Sequence, residues 1–244
     1  MKLDELILLS GNDVPFPEAQ VTIHPPQIKE IAYMGEENFL MGVQFLLFDK
    51  DNLPDEDKVG LENQSNFHIF MSVMNSSEKA KHKTDSLLVL TLLFPQYEIK
   101  IQQDKILLQV DNFSSSINEQ NFKAFQEIVR QIFCLGTDEA GGGEYNPADA
   151  LARKIAEKIK KGKQKKAHAE DLPEKIEIYG KYISILSVGL AKDKNELMKY
   201  TIYQLNDEFK RYQLKVSWDL YIKSKLAGAE GLEEVENWME DIHP

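Results

Sequence analysis

Residues 137–166 read TDEAGGGEYNPADALARKIAEKIKKGKQKK, and this stretch divides the chain. Thr137 to Tyr145 sets three consecutive glycines beside acids, with no apolar periodicity. Such a segment has high chain entropy and nothing to bury, so it reads as a joint. Asn146-Pro147 then starts a helix by rule, with asparagine as N-cap and proline at the first helical position. Helix propensity stays high through Lys161 and weakens at Gly162.

Between Arg153 and Lys166, the bases Arg153, Lys154, Lys158, Lys160, Lys161, Lys163, Lys165 and Lys166 face one acid, Glu157, a local charge of +7. The whole chain carries −11, so the remainder carries −18. A cationic segment next to a flexible joint in an anionic body suits binding rather than catalysis. Three readings stand. It is a solvated helix end whose lysines suit the helix dipole, an arm held by acids of a partner or of the chain itself, or a nucleic-acid contact. The segment has no aromatic residue for base stacking and only one arginine, which argues against nucleic acid. Lys160, Lys161, Lys165 and Lys166 are the arm's candidate partner contacts.

Upstream of the joint the pattern is α+β. Glu5–Ser10 (ELILLS) reads as a strand, GNDVPFPE as a turn region, and Gln20–His24 as a strand stopped by Pro25 and Pro26. Ile28 to Phe48 carries apolar residues at helical spacing, interrupted near Gly35. Asp49–Asp57 is a loop or capped turn, and helices follow at Asn66–Met74 and around Lys81–Phe94. Tyr97, Ile99 and Ile101 alternate, as do Ile106, Leu108 and Val110, giving a hairpin that turns near Gln103-Asp104. Asn118 opens an amphipathic helix with Phe122, Phe125, Ile128, Val129, Ile132 and Phe133 on one face, ending at Gly136.

Downstream of the joint the pattern is helical, near Glu174–Ala191, Asp193–Leu226 and Leu232–Ile242. The expected organisation is an α+β module at 1–136, a glycine-rich linker at 137–146, and a mainly α-helical module at 147–244 that begins with the basic arm.

The chain offers no signature of catalysis. Asp49, Asp51, Asp55 and Asp57 suggest calcium, but an EF-hand loop needs glycine at its sixth position and glutamate at its twelfth, where Pro54 and Gly60 stand. His24, His68, His82, His168 and His243 are scattered without zinc spacing. Gly141–Gly143 is not followed by Lys-Ser or Lys-Thr, so no phosphate-cradling loop follows. Cys134 ends an apolar stripe and reads as a buried, inert thiol. Being alone, it excludes an internal disulfide and fits a reducing cytoplasm. The apolar run Leu87–Phe94 falls well short of the roughly 20 residues that span a bilayer, and acids at Asp4 and Glu5 oppose a secretion signal. The expectation is a cytoplasmic, non-enzymatic protein with no cofactor, no metal and no membrane partner.

In the last third, Ile202, Leu205, Phe209, Tyr212 and Val216 form a core stripe at 3-4-3-4 spacing. Around it lie more aromatic residues than one face needs, and aromatic excess is typical of recognition surfaces. Trp218, Tyr221 and Trp238 are therefore candidate partner contacts. Leu232, Val235, Trp238, Met239 and Ile242 make a second stripe. Glu233, Glu234, Glu236, Glu240 and Asp241 stand opposite it, facing water or the basic arm.

The stretch MKYTIYQLNDEFKRYQLKVSWDLYIKSKLAGAEGLEEVENWMEDIH, preceded by PADALARKIAEKIKKGKQKKAH, resembles tail assembly chaperones of tailed bacteriophages that infect Gram-positive hosts. Thr201–Leu205, Leu226–Ala229 and Trp238-Met239 carry most of the match, over roughly the last hundred residues. The resemblance implies a non-enzymatic factor of the host cytoplasm. Such a factor keeps tape-measure protein soluble, recruits tail-tube protein during polymerisation and then leaves the finished tail. Self-association is a further expectation. The alternatives are a structural tail or baseplate component and, third, a nucleic-acid-binding regulator.

Overall fold

The computed structural model describes residues 2–52, 61, 63–76, 80–135, 178–232 and 235–239. The chain opens with helix α1 (Glu5–Ser10), where the sequence pattern suggested a strand. The short apolar run Leu6–Leu9 does not choose between the two by periodicity alone; its ends decide. The Asp4 side chain accepts from the Leu6 N–H, and Gly11 closes the turn in the left-handed region at φ 68°.

The expected turn region holds a strand, β1 (Val14–Phe16), paired antiparallel with β2 (Val21–Ile23). Val14 and Phe16 point inward and are fully buried, while Pro15 sits on an edge where a missing donor does no harm. α2 (Ile28–Met34) and α3 (Glu36–Leu46) follow, separated by Gly35 at φ 86°, as the interrupted periodicity predicts. α4 (Asn66–Asn75) and α5 (Ala80–Leu93) complete a helical layer.

β3 (Glu98–Ile101) and β4 (Ile106–Val110) form the predicted hairpin, with Ile101 opposite Ile106. A third strand, β5 (Phe113–Ile117), was not legible. Its sequence FSSSI has apolar residues only at its ends, and the tight connection is made by Asp111 in a left-handed conformation at φ 47°. α6 (Phe122–Ile132) then crosses the core, its C-terminal turn closed by Cys134 at φ 55° rather than by a glycine. Gly136 lies outside the described residues.

The centre is aromatic. Phe125 stacks near Phe94 (5.8 Å) and Phe16 (5.9 Å), and Phe122 meets Phe67 (5.1 Å) and Phe70 (5.4 Å). Polar groups of α6 finish the end of α3: Gln126 Nε2 donates to the Leu46 carbonyl at 2.9 Å and Arg130 Nη2 to that of Leu47 at 3.1 Å. These carbonyls have no partner within their own helix.

The C-terminal part is helical: α7 (Tyr179–Leu190), α8 (Lys194–Leu197) and α9 (Ile202–Leu226). The expected segment Asp193–Leu226 is broken at Met198–Thr201. There the chain turns aside to bond α2, and Thr201 with Gln204 forms a capping box that restarts the helix. The boundaries expected at 136 and 147 lie outside the described residues. On either side of them, the described residues contribute to one apolar cluster, with Tyr182, Ile183, Leu186, Leu197, Ile202, Leu205 and Phe209 joined to the core of the α+β part. The chain is thus an α+β N-terminal region followed by a helical C-terminal one.

Candidate partner-binding surface

Three ties hold the base of α9 in place. Tyr182 of α7 lies flat on Phe209, with ring centroids 3.8 Å apart. Gln204 Nε2 donates to the Leu9 carbonyl at the end of α1 at 2.7 Å. Lys192 Nζ meets Glu208 Oε1 and the Tyr200 hydroxyl, each at 2.9 Å. Burial alone would lower the Lys192 pKa, but these two hydrogen bonds and their charges outweigh it and hold the ammonium above its ordinary value.

The other contact zone lies where α3, α6 and α7 meet. Glu36 Oε1 accepts from the backbone N–H groups of Ile178 (2.5 Å) and Tyr179 (3.1 Å), capping the start of α7 from a distant part of the chain. Burial and then the Glu36 charge push the Tyr179 phenol upward. Beside it, burial pushes the Cys134 thiol up to about 12, against a lowering hydrogen bond from Asn206. A thiol held neutral in this way is no nucleophile at physiological pH.

Beyond Phe209 the helix leaves the core. Leu205 is 0% and Phe209 6% exposed, but Val216 is 47%, Leu220 65% and Leu226 83% exposed, so the same apolar stripe runs out into solvent. Residues 210–226 extend about 25 Å at 1.5 Å per residue. An exposed apolar helix stripe continuous with a core is the form of surface that receives a partner helix.

Trp218 and Tyr221 lie on this projecting half. Both are half-buried rather than fully exposed, with rings 6.0 Å apart and Lys225 Nζ 4.6 Å from the Tyr221 ring centre. Trp238 is half-buried in the tail, and its carbonyl accepts from Arg211 Nη1 at 3.2 Å. The structure therefore brings Trp218 and Tyr221 together on α9 and places Trp238 near the helix's Arg211. Lys160, Lys161, Lys165 and Lys166 lie outside the described residues.

The expected helix at Leu232–Ile242 is absent from residues 232 and 235–239, which are turn and irregular chain. Gly231 at φ 72° precedes them, and the Asn237 side chain accepts from the Met239 N–H at 3.1 Å. That local bond competes with helix formation.

Of the remaining sequence candidates, Asp55, Asp57, His168 and His243 lie outside the described residues; those within them have structural employment. His24 bridges Asp13 (2.9 Å) and Glu30 (3.4 Å), His68 sits near Ser65 and Glu119, and His82 stacks on Phe45. Asp49 accepts from the Asp51 N–H and the Asn66 amide. Among the described residues, no three His, Cys, Asp or Glu side chains are placed to hold a metal ion. Nor, among them, is any helix long and apolar enough to cross a membrane. What the sequence could not reveal is the capping role of Glu36, since nothing in a run of glutamates marks one that reaches a helix 142 positions away.

Residues 173–243, which span α7 to the tail, match the family model of the YomV second domain, from a phage-associated protein family. Comparison with curated proteins and comparison with solved structures give no match. The C-terminal part of the chain is thus similar to a phage-associated domain.

Proposed function

We propose that this chain is a non-enzymatic phage tail assembly chaperone of the host cytoplasm, one that binds tape-measure protein and recruits tail-tube subunits without a cofactor. One observation carries the reading: the segment similar to a phage-associated domain is also the one that sends an apolar, aromatic helix out of the core. A helix face of this kind fits the amphipathic helices of a long, helical client, with side chains at i, i+3 and i+4 as anchors. Trp218 and Tyr221, half-buried on the opposite side of the helix, and Trp238 are further aromatic contacts, and Lys160, Lys161, Lys165 and Lys166 supply electrostatic attraction.

The test is co-expression with the tape-measure protein of the same phage, followed by capture on the tagged chain. Wild type should retain the tape-measure protein in solution. Alanine at Trp218, Tyr221 or Trp238 should weaken capture, by about 2 kcal/mol at a hot spot, which is roughly thirtyfold. Full capture by the triple variant at native helicity, or no capture by wild type, would sink the reading.

A further inference from the structure

Arg211, Leu214, Trp218 and Tyr221 succeed one another at steps of three and four, so they share one face of α9. That face lies opposite Val216 and Leu220. All four are half-buried, although Lys215, Val216, Ser217 and Leu220 between them are exposed. The Tyr221 ring accounts for part of the Trp218 cover, but a face shaded over this length needs a second element along it.

The described chain shows which element reaches it. Arg211 Nη1 donates to the Trp238 carbonyl, and Val235, Asn237 and Trp238 are half-buried while residues 228–232 are exposed. Gly228 (φ 86°) and Gly231 (φ 72°) take left-handed conformations just past the helix, turning the chain. From Ala227 back to Arg211 is about 24 Å of helix, and the residues from Ala227 to Trp238 reach roughly 36 Å when extended. The tail is long enough to return along the whole face.

The charges agree. Between Lys210 and Leu226 stand Lys210, Arg211, Lys215, Lys223 and Lys225 against Asp219 alone. After Ala229 come Glu230, Glu233, Glu234, Glu236, Glu240 and Asp241, with no lysine or arginine among them. Val235 and Trp238 are the half-buried apolar residues of that segment, while Leu232 and Met239 are exposed.

We propose that the tail segment at residues 235–239 is the resident occupant of the Trp218–Tyr221 face, with Trp238 at Arg211. The aromatic surface is then closed in the chain by itself, and an incoming partner takes it by displacing the tail. The consequence for partners rests on the function proposed above; the seating of the tail does not.

Trp238→Phe leaves Trp218 as the sole tryptophan and reports on the seat directly. Removing residues 230–244 from that variant should shift Trp218 emission to the red and increase acrylamide quenching several-fold, with far-UV helicity kept. A synthetic peptide of residues 230–244, with phenylalanine at 238, should reverse both changes, less well as salt rises. Should the shortened chain lose helicity, the full-length Trp238→Phe variant with Glu233, Glu234, Glu236 and Glu240 changed to lysine should show the same rise in quenching.

Trp218 emission indifferent to both alterations, or a peptide that does not bind, overturns the proposal. So does quenching that rises on dilution of the full-length chain, which would place the tail on a second copy. In the chain that keeps Trp238, changing Glu233, Glu234, Glu236 and Glu240 to lysine should also make capture of tape-measure protein easier. If the peptide closes the Trp218 face yet no chain captures the tape-measure protein, the tail's seat stands and the chaperone reading fails.

Discussion

Gly42 of α3 lies so close to the Asp85 carbonyl of α5 that a Cβ at Gly42 would stand 2.5 Å from that oxygen. Backbone stands in the way, so no side-chain rotation opens the space. Gly42→Ala should therefore push α3 from α5 and destabilise the chain by about 1–3 kcal/mol, the usual cost of overpacking. Urea unfolding measures this directly. Gly189 gives the contrast: its missing Cβ would meet the Tyr212 ring tip at 2.3 Å, and a half-exposed ring swings aside. Gly189→Ala should cost clearly less than Gly42→Ala.

Glu36→Ala removes the acceptor at the start of α7. Two backbone donors lose their partner, and the loss should approach that of an N-cap deletion, about 1 kcal/mol. Hydrogen exchange at the Ile178 and Tyr179 amides should accelerate more than at Leu186. Glu36→Gln, which keeps an oxygen at the site, should recover part of the protection.

The half-buried Cys134 thiol should react with disulfide reagents far more slowly in the native chain at pH 8 than once the chain is unfolded. Its pKa rises on folding from an ordinary 9.0 to about 12, chiefly through burial. Protons are thus held by the folded state where the unfolded thiol has released them. The associated stability is full below pH 9.0 and is lost as pH climbs toward about 12. Cys134→Ala should remove that portion of the alkaline decline in a pH series of melting temperatures.

Proteases should cut first within residues 137–146, where glycines and acids leave nothing to bury. Because residues 182–209 share a core with the α+β part, the two products should stay together on a sizing column. Products that separate without denaturant would count against that shared core as the main source of cohesion.

The basic arm should steer association more than it stabilises the fold. Exposed lysine pairs contribute about 0–1 kcal/mol each and are screened over roughly 10 Å at 0.1 M salt. Changing Lys160, Lys161, Lys165 and Lys166 to glutamine should leave the melting temperature nearly fixed and slow partner capture at low salt. Tight binding of DNA or RNA by wild type at physiological salt, abolished by these changes, would favour a nucleic-acid role instead.

Elements with strong local signals were legible in the sequence. The Ile28–Phe48 periodicity broken at Gly35, the alternating Ile99 to Val110 hairpin and the Phe122–Phe133 stripe each announce their structure. Weak or contextual signals misled. Glu5–Ser10 is helical because of its caps, and β5 is a strand because β4 offers it an edge. The stripe along α9 was readable, but not the point at Phe209 where it leaves the core, which depends on what the rest of the chain covers. Trp218 and Tyr221 stand out in the sequence by aromatic excess, but spacing alone does not show that both are half-buried.

The amide groups of Ile28 and Lys29 open α2, and their acceptors are the carbonyls of Tyr200 and Met198, each at 2.9 Å. A chain is synthesised from its N-terminus, so the donors emerge about 170 residues before the acceptors do. At roughly 5–20 residues per second that interval is on the order of ten to thirty seconds. Throughout it, the nascent N-terminal part carries an unfinished edge that water or a ribosome-associated factor must occupy. A translation product ending before Met198 would keep that edge permanently, so where the ribosome stops decides whether the first part of the protein is ever completed.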